Sequence, residues 1–313
     1  MNRFPLTADD AGIRLDLFLV GKFGVSRARV QAIIKAGEVT VNGKAATPHL
    51  ALKATDIVVS TADLDAKPKL PKLVLPPLDV LFEDKEILVV NKPAGLLVHP
   101  NSEHELKTRP SLTAAAVKHA PSMKGVGEND LRPGVMHRLD KDVSGVMVLA
   151  KTQEAYEDLK RQFAGREAEK HYVALAYGKM PKDHDVITLK VARSRNRGRM
   201  VARPDGQEGK EAITEYTVSE RLKAWTLLDV HTHTGRTHQI RTHLFAVNHP
   251  LVGDTLYRKS DGGHMRHVRE VSLGRVFLHA SSLSVTRLDG TRQTFTAPLP
   301  DDLQEMLKNL PRK

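Results

Sequence analysis

The stretch HRLDKDVSG, residues 137 to 145, sets two carboxylates and three basic side chains between apolar runs, Val135-Met136 before it and Val146 to Ala150 after it. The flanks read as short core strands and Ser144-Gly145 as a turn or bulge, which leaves the charged residues in a loop at a sheet edge. A charged loop on a rigid sheet is a common mount for a catalytic group; a solvated turn is the plain alternative. NKPAGLLVHP (91 to 100) and HTHTGRTHQIRTH (231 to 243) interrupt apolar strands in the same way. Three such interruptions point to one shared cleft.

Within that cleft Asp140 is the better placed carboxylate. Leu139 before it belongs in the core, so the next side chain crosses toward the cleft, and Asp142 is left more exposed. A desolvated carboxylate loses its charge unless a cation opposes it. Arg241 is the matching cation, on a helix opened by the turn Gly235-Arg236-Thr237, with Gln239 and His243 projecting in other directions. Such a carboxylate is suited to act as nucleophile or base, and a purely structural ion pair is the alternative. The four histidines at 231, 233, 238 and 243 raise the question of zinc. His231 and His233 share a strand face, but His238 and His243 lie five apart and no HExxH helix exists, so no metal is expected.

The elements that must carry these residues fall into two groups. The chain has 313 residues, enough for one large domain and a smaller one. A small unit at 12 to 62 holds two helical patterns, RLDLFLVGKFG and SRARVQAIIKAG, with Ser26 as N-cap and Gly37 as stop. EVTVNGKAA then reads as a hairpin through Asn42-Gly43, and DIVVS as a further strand. Four prolines between 63 and 79 mark residues 63 to 77 as an extended linker. From 78 to 310, VLFED with EILVVNK predicts a hairpin, SLTAAAVKHA and TQEAYEDLKRQFAGR predict helices, and EKHYVALAYG, ITEYTVSERL, AWTLLDVHTH and VFLHASSLSVT predict strands. Runs of strands without regular alternation predict an α+β fold on an antiparallel or mixed sheet with flanking helices.

Composition narrows the partners. Lys and Arg number 48 against 37 Asp and Glu, a net charge of +11, which favours a polyanion such as RNA. From Arg14 to Ser60 the small unit carries seven Lys or Arg against three acids. Residues 188 to 210 carry seven more against two, and the arginines at 193, 195, 197 and 199 would share one face of an extended segment as a phosphate track, a disordered basic loop being the alternative. There are no cysteines, no apolar run of membrane length and no signal-like start, so the chain reads as a cytoplasmic monomer that makes no membrane contact.

These motifs also carry a resemblance. The run from Arg14 to Lys44 resembles the small RNA-binding module named after a small-subunit ribosomal protein and found in tyrosyl-tRNA synthetases. HRLDKDVSG, with NKPAGLLVHP, KHYVALAYG, TGRTHQIRTH, HPLVGDTLY and FLHASSLSV, resembles the RluA family of pseudouridine synthases, its large-subunit ribosomal RNA members in particular, over residues 12 to about 303. The resemblance implies that Asp140 is the catalytic aspartate in breaking uridine's glycosidic bond, before the uracil rotates and rejoins the ribose through carbon. It implies that Arg241 is the partner of Asp140, that Tyr172 packs on the target uracil, and that Arg138 enters the RNA helix where the base has flipped out. It implies no cofactor and no metal. Val143 departs from the family's usual threonine and removes a hydroxyl beside the aspartate. An RNA-binding or assembly protein without catalysis, and a metal hydrolase acting on RNA, are the rival readings.

Overall fold

The computed structural model describes residues 2 to 62, 73 to 194, 198 to 258 and 273 to 312, in two units, Met1–Pro71 and Lys72–Lys313. Most of the expected linker lies outside the described residues.

In the first unit, strand β1 (Asn2–Pro5) is followed by helices α1 (Leu15–Phe23) and α2 (Arg27–Lys35), then β2 (Val39–Val41), β3 (Lys44–Ala45) and β4 (Ile57–Ser60). The strands pair in the order β1-β4-β2-β3. Ser26 caps α2 by accepting the Arg29 N–H. Asn42 and Gly43 both take positive φ, 53° and 76°, the conformation a two-residue hairpin turn requires. Leu15, Leu19, Val30, Ile34, Val39, Leu52 and Val58 close the core. β1 lies ahead of residue 12: four residues ending in proline give too little pattern to read as a strand, and pairing with β4 makes them one. The buried Asp16 ties down two arginines that remain partly exposed to solvent, accepting from Arg14 (Nη2 3.0 Å) and Arg27 (Nε 3.0 Å), and also from Gln31 (Nε2 2.9 Å). Burial would raise the Asp16 pKa; these donors hold it far below the usual carboxylate range instead.

The second unit is α+β, built on one nine-stranded mixed sheet. In chain order it runs β5 (Val80–Glu83), β6 (Ile87–Lys92), α3 (Glu103–Thr108), α4 (Leu112–His119), β7 (Ser144–Ala150), α5 (Gln153–Ala164) and β8 (Glu169–Tyr177). After these come β9 (His184–Ile187), the separate hairpin β10 (Lys190–Arg193) and β11 (Met200–Arg203), then β12 (Thr214–Arg221), β13 (Trp225–Thr232) and α6 (Gln239–Ala246). The chain ends with β14 (Leu278–Thr286), β15 (Arg292–Thr296) and α7 (Asp301–Asn309). The sheet order is β5-β6-β7-β14-β8-β13-β12-β9, with β15 on the far part of β14; among its described strands only the β7–β14 pairing is parallel. Ser111 and Thr152 cap α4 and α5 through the Ala114 and Ala155 amides. α4 and α6 pack on one sheet face, over Leu88, Val90, Met147, Ala174, Leu228 and Val230. α5 packs on the other face over Val89, Val146 and Val148, and α7 over Leu175, Tyr177 and Trp225. Covered on both sides, β7 is buried along its whole length.

Three local expectations fail around the 137 to 145 loop. Val135 and Met136 are irregular backbone and not a strand. Ser144-Gly145 is no turn but the start of β7, paired with His279 and Ala280 of β14. The glycine is there for approach: φ is +123°, and a Cβ on Gly145 would lie 2.2 Å from the Ala280 carbonyl oxygen. His137, read as a basic loop residue, turns inward, accepts the Val148 N–H at 3.1 Å and stacks on Phe163. Burial holds its pKa down to about 3, so it is neutral.

Gly145→Ala therefore has to strain the backbone and push β14 away from β7. Chemical denaturation should show a loss of roughly 2–4 kcal/mol against the wild type; an unchanged midpoint would mean that the two strands do not approach this closely.

Candidate active site

Two of the three interruptions, 137 to 145 and 231 to 243, meet at an open pocket in the second unit with a cavity volume of about 90 Å³. Arg138, Asp140, Tyr172, Thr232, the turn Thr234 to Thr237, His238 and Arg241 line it, over an apolar floor of Leu139, Val143, Ile240 and Leu278. All four residues singled out from the sequence reach this pocket.

Asp140 stands where the loop meets the sheet. Leu139 before it is buried and Asp142 after it is exposed, as expected. Asp140 Oδ2 accepts a hydrogen bond from Arg241 Nη1 at 2.9 Å, and His238 Nε2 stands 3.8 Å from the same oxygen. No hydrogen bond from the described residues reaches Oδ1. Arg241 sits in the first turn of α6, reached through His238, whose φ of +56° makes the corner.

The arginine has a second and stronger anchor that the sequence did not disclose. Its Nε and Nη2 donate to both oxygens of Asp254 at 2.7 and 3.0 Å. Asp254 is buried and also accepts the Leu256 and Tyr257 N–H groups at 2.9 and 3.0 Å. The Tyr257 ring lies 5.1 Å from the Arg241 guanidinium carbon, and its hydroxyl bonds His238 Nδ1 at 2.9 Å. Burial alone would lower the Arg241 pKa, but the hydrogen bonds and charge of Asp254, with Asp140, raise it above its ordinary value. Burial would likewise raise Asp254, and the Arg241 contact holds it below the carboxylate range. The cluster is thus two carboxylates around one guanidinium, with a formal charge of −1.

Tyr172 lies on β8 between Val230 of β13 and Ala280 of β14, and Ala280 in turn faces Gly145. One row across four strands therefore carries the tyrosine and the end of the aspartate loop. Burial pushes the Tyr172 phenol up to about 12 despite the Thr232 hydroxyl, so it stays neutral. Arg138 is exposed at the pocket's rim. Val143 belongs to the apolar core beneath the pocket, where a threonine would have brought a hydroxyl.

NKPAGLLVHP does not line the pocket; it holds the loop from behind. Lys92 is fully buried, and its Nζ donates to the carbonyls of Pro93 (2.7 Å), Leu96 (2.9 Å) and Lys141 (3.0 Å). The Gly95 N–H shares the Lys141 carbonyl at 2.9 Å. Burial brings the Lys92 pKa down to about 7, with Arg275 adding to the effect and Asp142 and Asp140 opposing it.

The basic segment differs from its expected form. β10 and β11 fold it into a hairpin, so alternate residues are not one extended face. Arg193, Arg203, Lys210 and Arg236 line a groove that continues from the pocket at Gly235 to Thr237. Arg199 turns inward over Phe245 and Tyr257, and Arg195 and Arg197 lie outside the described residues. His231 and His233 are not in the pocket either: they alternate with Thr232 and Thr234 and project from the other face of the sheet.

Removing the guanidinium leaves Asp254 buried without a counter-charge, so Arg241→Met should cost about 3–5 kcal/mol at neutral pH. The Asp254 contribution is present above the unfolded pKa of 3.8 and is lost as pH falls through the lower folded value. The gap between the wild type and the variant in melting experiments should therefore narrow below about pH 4; a gap that stays constant would show that Asp254 is not the partner.

Comparison with known proteins agrees with this geometry. The family model described as RNA pseudouridylate synthase matches residues 86–246, and that of the S4 domain matches 13–58. A ribosomal large subunit pseudouridine synthase D of Nitrosomonas europaea is 38% identical over 318 residues, covering 99% of this chain and 89% of the relative. An uncharacterized RNA pseudouridine synthase of Bacillus subtilis is 33% identical, with 99% of each chain covered. The solved structure of human RNA pseudouridylate synthase domain containing 4 shares the fold, with a TM-score of 0.57 and 24% identity over 74% of this chain and 92% of that one. The synthase match takes in Lys92, Asp140, Tyr172 and Arg241, and the chain belongs to the RNA pseudouridylate synthase family, which isomerises uridines in RNA.

Proposed function

We propose that Asp140 is the catalytic aspartate of a synthase that converts specific uridines of large-subunit ribosomal RNA to pseudouridine, working as a monomer in the cytoplasm. The observation that carries the catalytic reading is the Asp140 carboxylate, with one oxygen held by Arg241 and the other without a donor among the described residues, in an open pocket beside Tyr172. Asp140 drives cleavage of the bond between uracil N1 and the ribose C1′; the base turns, C5 joins C1′, the C5 proton is removed and N1 takes up a proton, so product and substrate are isomers. No electrons are gained or lost, so the reaction asks for no redox partner.

A base cannot turn inside a helix. Flipping it out costs a few kcal/mol, and stacking on Tyr172 returns about 1–3 kcal/mol. On this reading Arg138, which lines the pocket and is exposed, fills the vacated position in the helix. The groove lined by Arg193, Arg203, Lys210 and Arg236 supports a path for the phosphate backbone leading to the pocket. Ribosomal RNA as substrate rests on the names of the Nitrosomonas europaea relative and of a Zymomonas mobilis relative, 35% identical over 97% of this chain. The S4 domain supplies affinity and positioning.

Asp140→Asn keeps the shape and removes the charged oxygen, so isomerisation should be abolished while RNA binding stays within a few fold. Turnover near that of the wild type would sink the assignment. Mapping pseudouridines in ribosomal RNA from cells with and without the gene identifies the target uridines, and an unchanged map would remove ribosomal RNA as substrate. A chain starting at Leu73 should keep turnover at saturating RNA but bind more weakly. On single strands its salt dependence should be shallower by roughly 0.7 units for each phosphate that the S4 domain no longer neutralises. Equal salt slopes for both chains would refute this division of labour.

A further inference from the structure

The face of the sheet turned away from the pocket carries a cluster that the isomerase does not use. Glu215 of β12 stands directly opposite His231 of β13, and His231 directly opposite His171 of β8. These three side chains form one row across neighbouring strands, where opposed Cβ atoms lie about 4.5–5.5 Å apart. His233 follows two residues after His231 and points the same way. His184, at the start of β9, reaches Glu215 from the other side.

The donor atoms converge. Glu215 Oε2 is 2.8 Å from His233 Nε2 and 3.6 Å from His231 Nδ1, and all three ligand atoms lie within 4.8 Å of one another. Around a zinc ion with bonds of about 2.0–2.2 Å, neighbouring donors lie roughly 3.2–3.6 Å apart. The remaining adjustment is rotation of partly exposed side chains and needs no movement of the strands. The surrounding groups orient the donors: His184 Nε2 bonds the other oxygen of Glu215 at 2.8 Å, and His171, itself paired with Asp229 Oδ1 at 3.2 Å, stacks on His231 with ring centroids 4.8 Å apart. Support of this kind behind the ligands is what metal sites use to fix ring and carboxylate orientation.

We infer that Glu215, His231 and His233 bind one borderline divalent metal ion of the zinc type, with water completing its coordination. Two imidazoles and a carboxylate, with no thiolate, suit zinc and its neighbours in the transition series rather than magnesium or calcium, which take oxygen donors. Bound there, the ion would tie β12 to β13 at the edge region of the sheet, apart from the residues placed in the catalytic pocket.

The test titrates zinc alone into the full chain after removal of metal with a chelator, by calorimetry and by melting temperature. The expected result is one saturable site and a rise in melting temperature with zinc. His231→Gln combined with His233→Gln should remove the site and the rise, and His184→Gln should weaken binding by roughly tenfold. The residues are partly exposed, so metal-free melting should change little; X-ray absorption at the zinc edge on the wild-type complex gives a second reading that needs no variant, with two imidazoles expected. Absence of saturable binding, equal affinity in the double variant, or a zinc environment with fewer than two imidazoles would each overturn the inference and leave a hydrogen-bonded surface cluster.

Discussion

A single guanidinium, that of Arg241, is shared between two carboxylates of unequal standing. Asp254 takes two of its nitrogens and is buried; Asp140 takes the third and borders the pocket. Desolvating three charges is expensive, and the arrangement holds only because the buried carboxylate and the guanidinium are supplied with partners on every side. The Leu256 and Tyr257 amides complete Asp254, and the Tyr257 ring covers the guanidinium. The carboxylate at the pocket thus receives only part of the arginine's charge. Were the pair isolated, positive and negative would cancel; with Asp254 present, the cluster remains an anion at the centre of a basic molecule.

Asp140 and Arg241 were legible in the sequence because each interrupts or follows an apolar strand pattern, whereas Tyr172, inside a strand, was picked out only by the motif it belongs to. Asp254 was not singled out: it stands inside the motif HPLVGDTLY, but in a loop without periodicity, where residue type alone does not tell an aspartate that grips an arginine thirteen positions earlier from one facing water. Lys92 was visible as part of a polar interruption, but its direction was not, since a lysine bonded to three carbonyls looks like any other lysine in the chain. The failures at Val135-Met136, Ser144-Gly145 and His137 share a cause. Local pattern registers hydrophobicity, whereas pairing across β7 and β14, 135 residues apart for Ser144 and His279, decides what is strand. The larger elements were legible because capping residues such as Ser26, Ser111 and Thr152 coincide with strong apolar periodicity.

The sheet also separates chemistry by parity. Along β8 and β13, Tyr172, Val230 and Thr232 serve the pocket and the core next to it, while His171, Asp229 and His231 occupy the reverse side. The histidine-rich run from 231 to 243 therefore divides between two faces and a helix start, which is why its histidines never gather in one place. What looks like one motif along the chain is two separate clusters in space.

The Lys92 clamp grips only main-chain oxygens, at Pro93, Leu96 and Lys141. Its latitude under mutation is consequently one-sided. The exposed side chain at Lys141 can drift through many residue types while its carbonyl keeps the same place in the clamp, whereas nothing but an extended ammonium can occupy position 92 and reach all three acceptors. Variation at Lys141 is thereby uncoupled from the position of the loop, and its side chain is free to diverge over a mount that stays fixed.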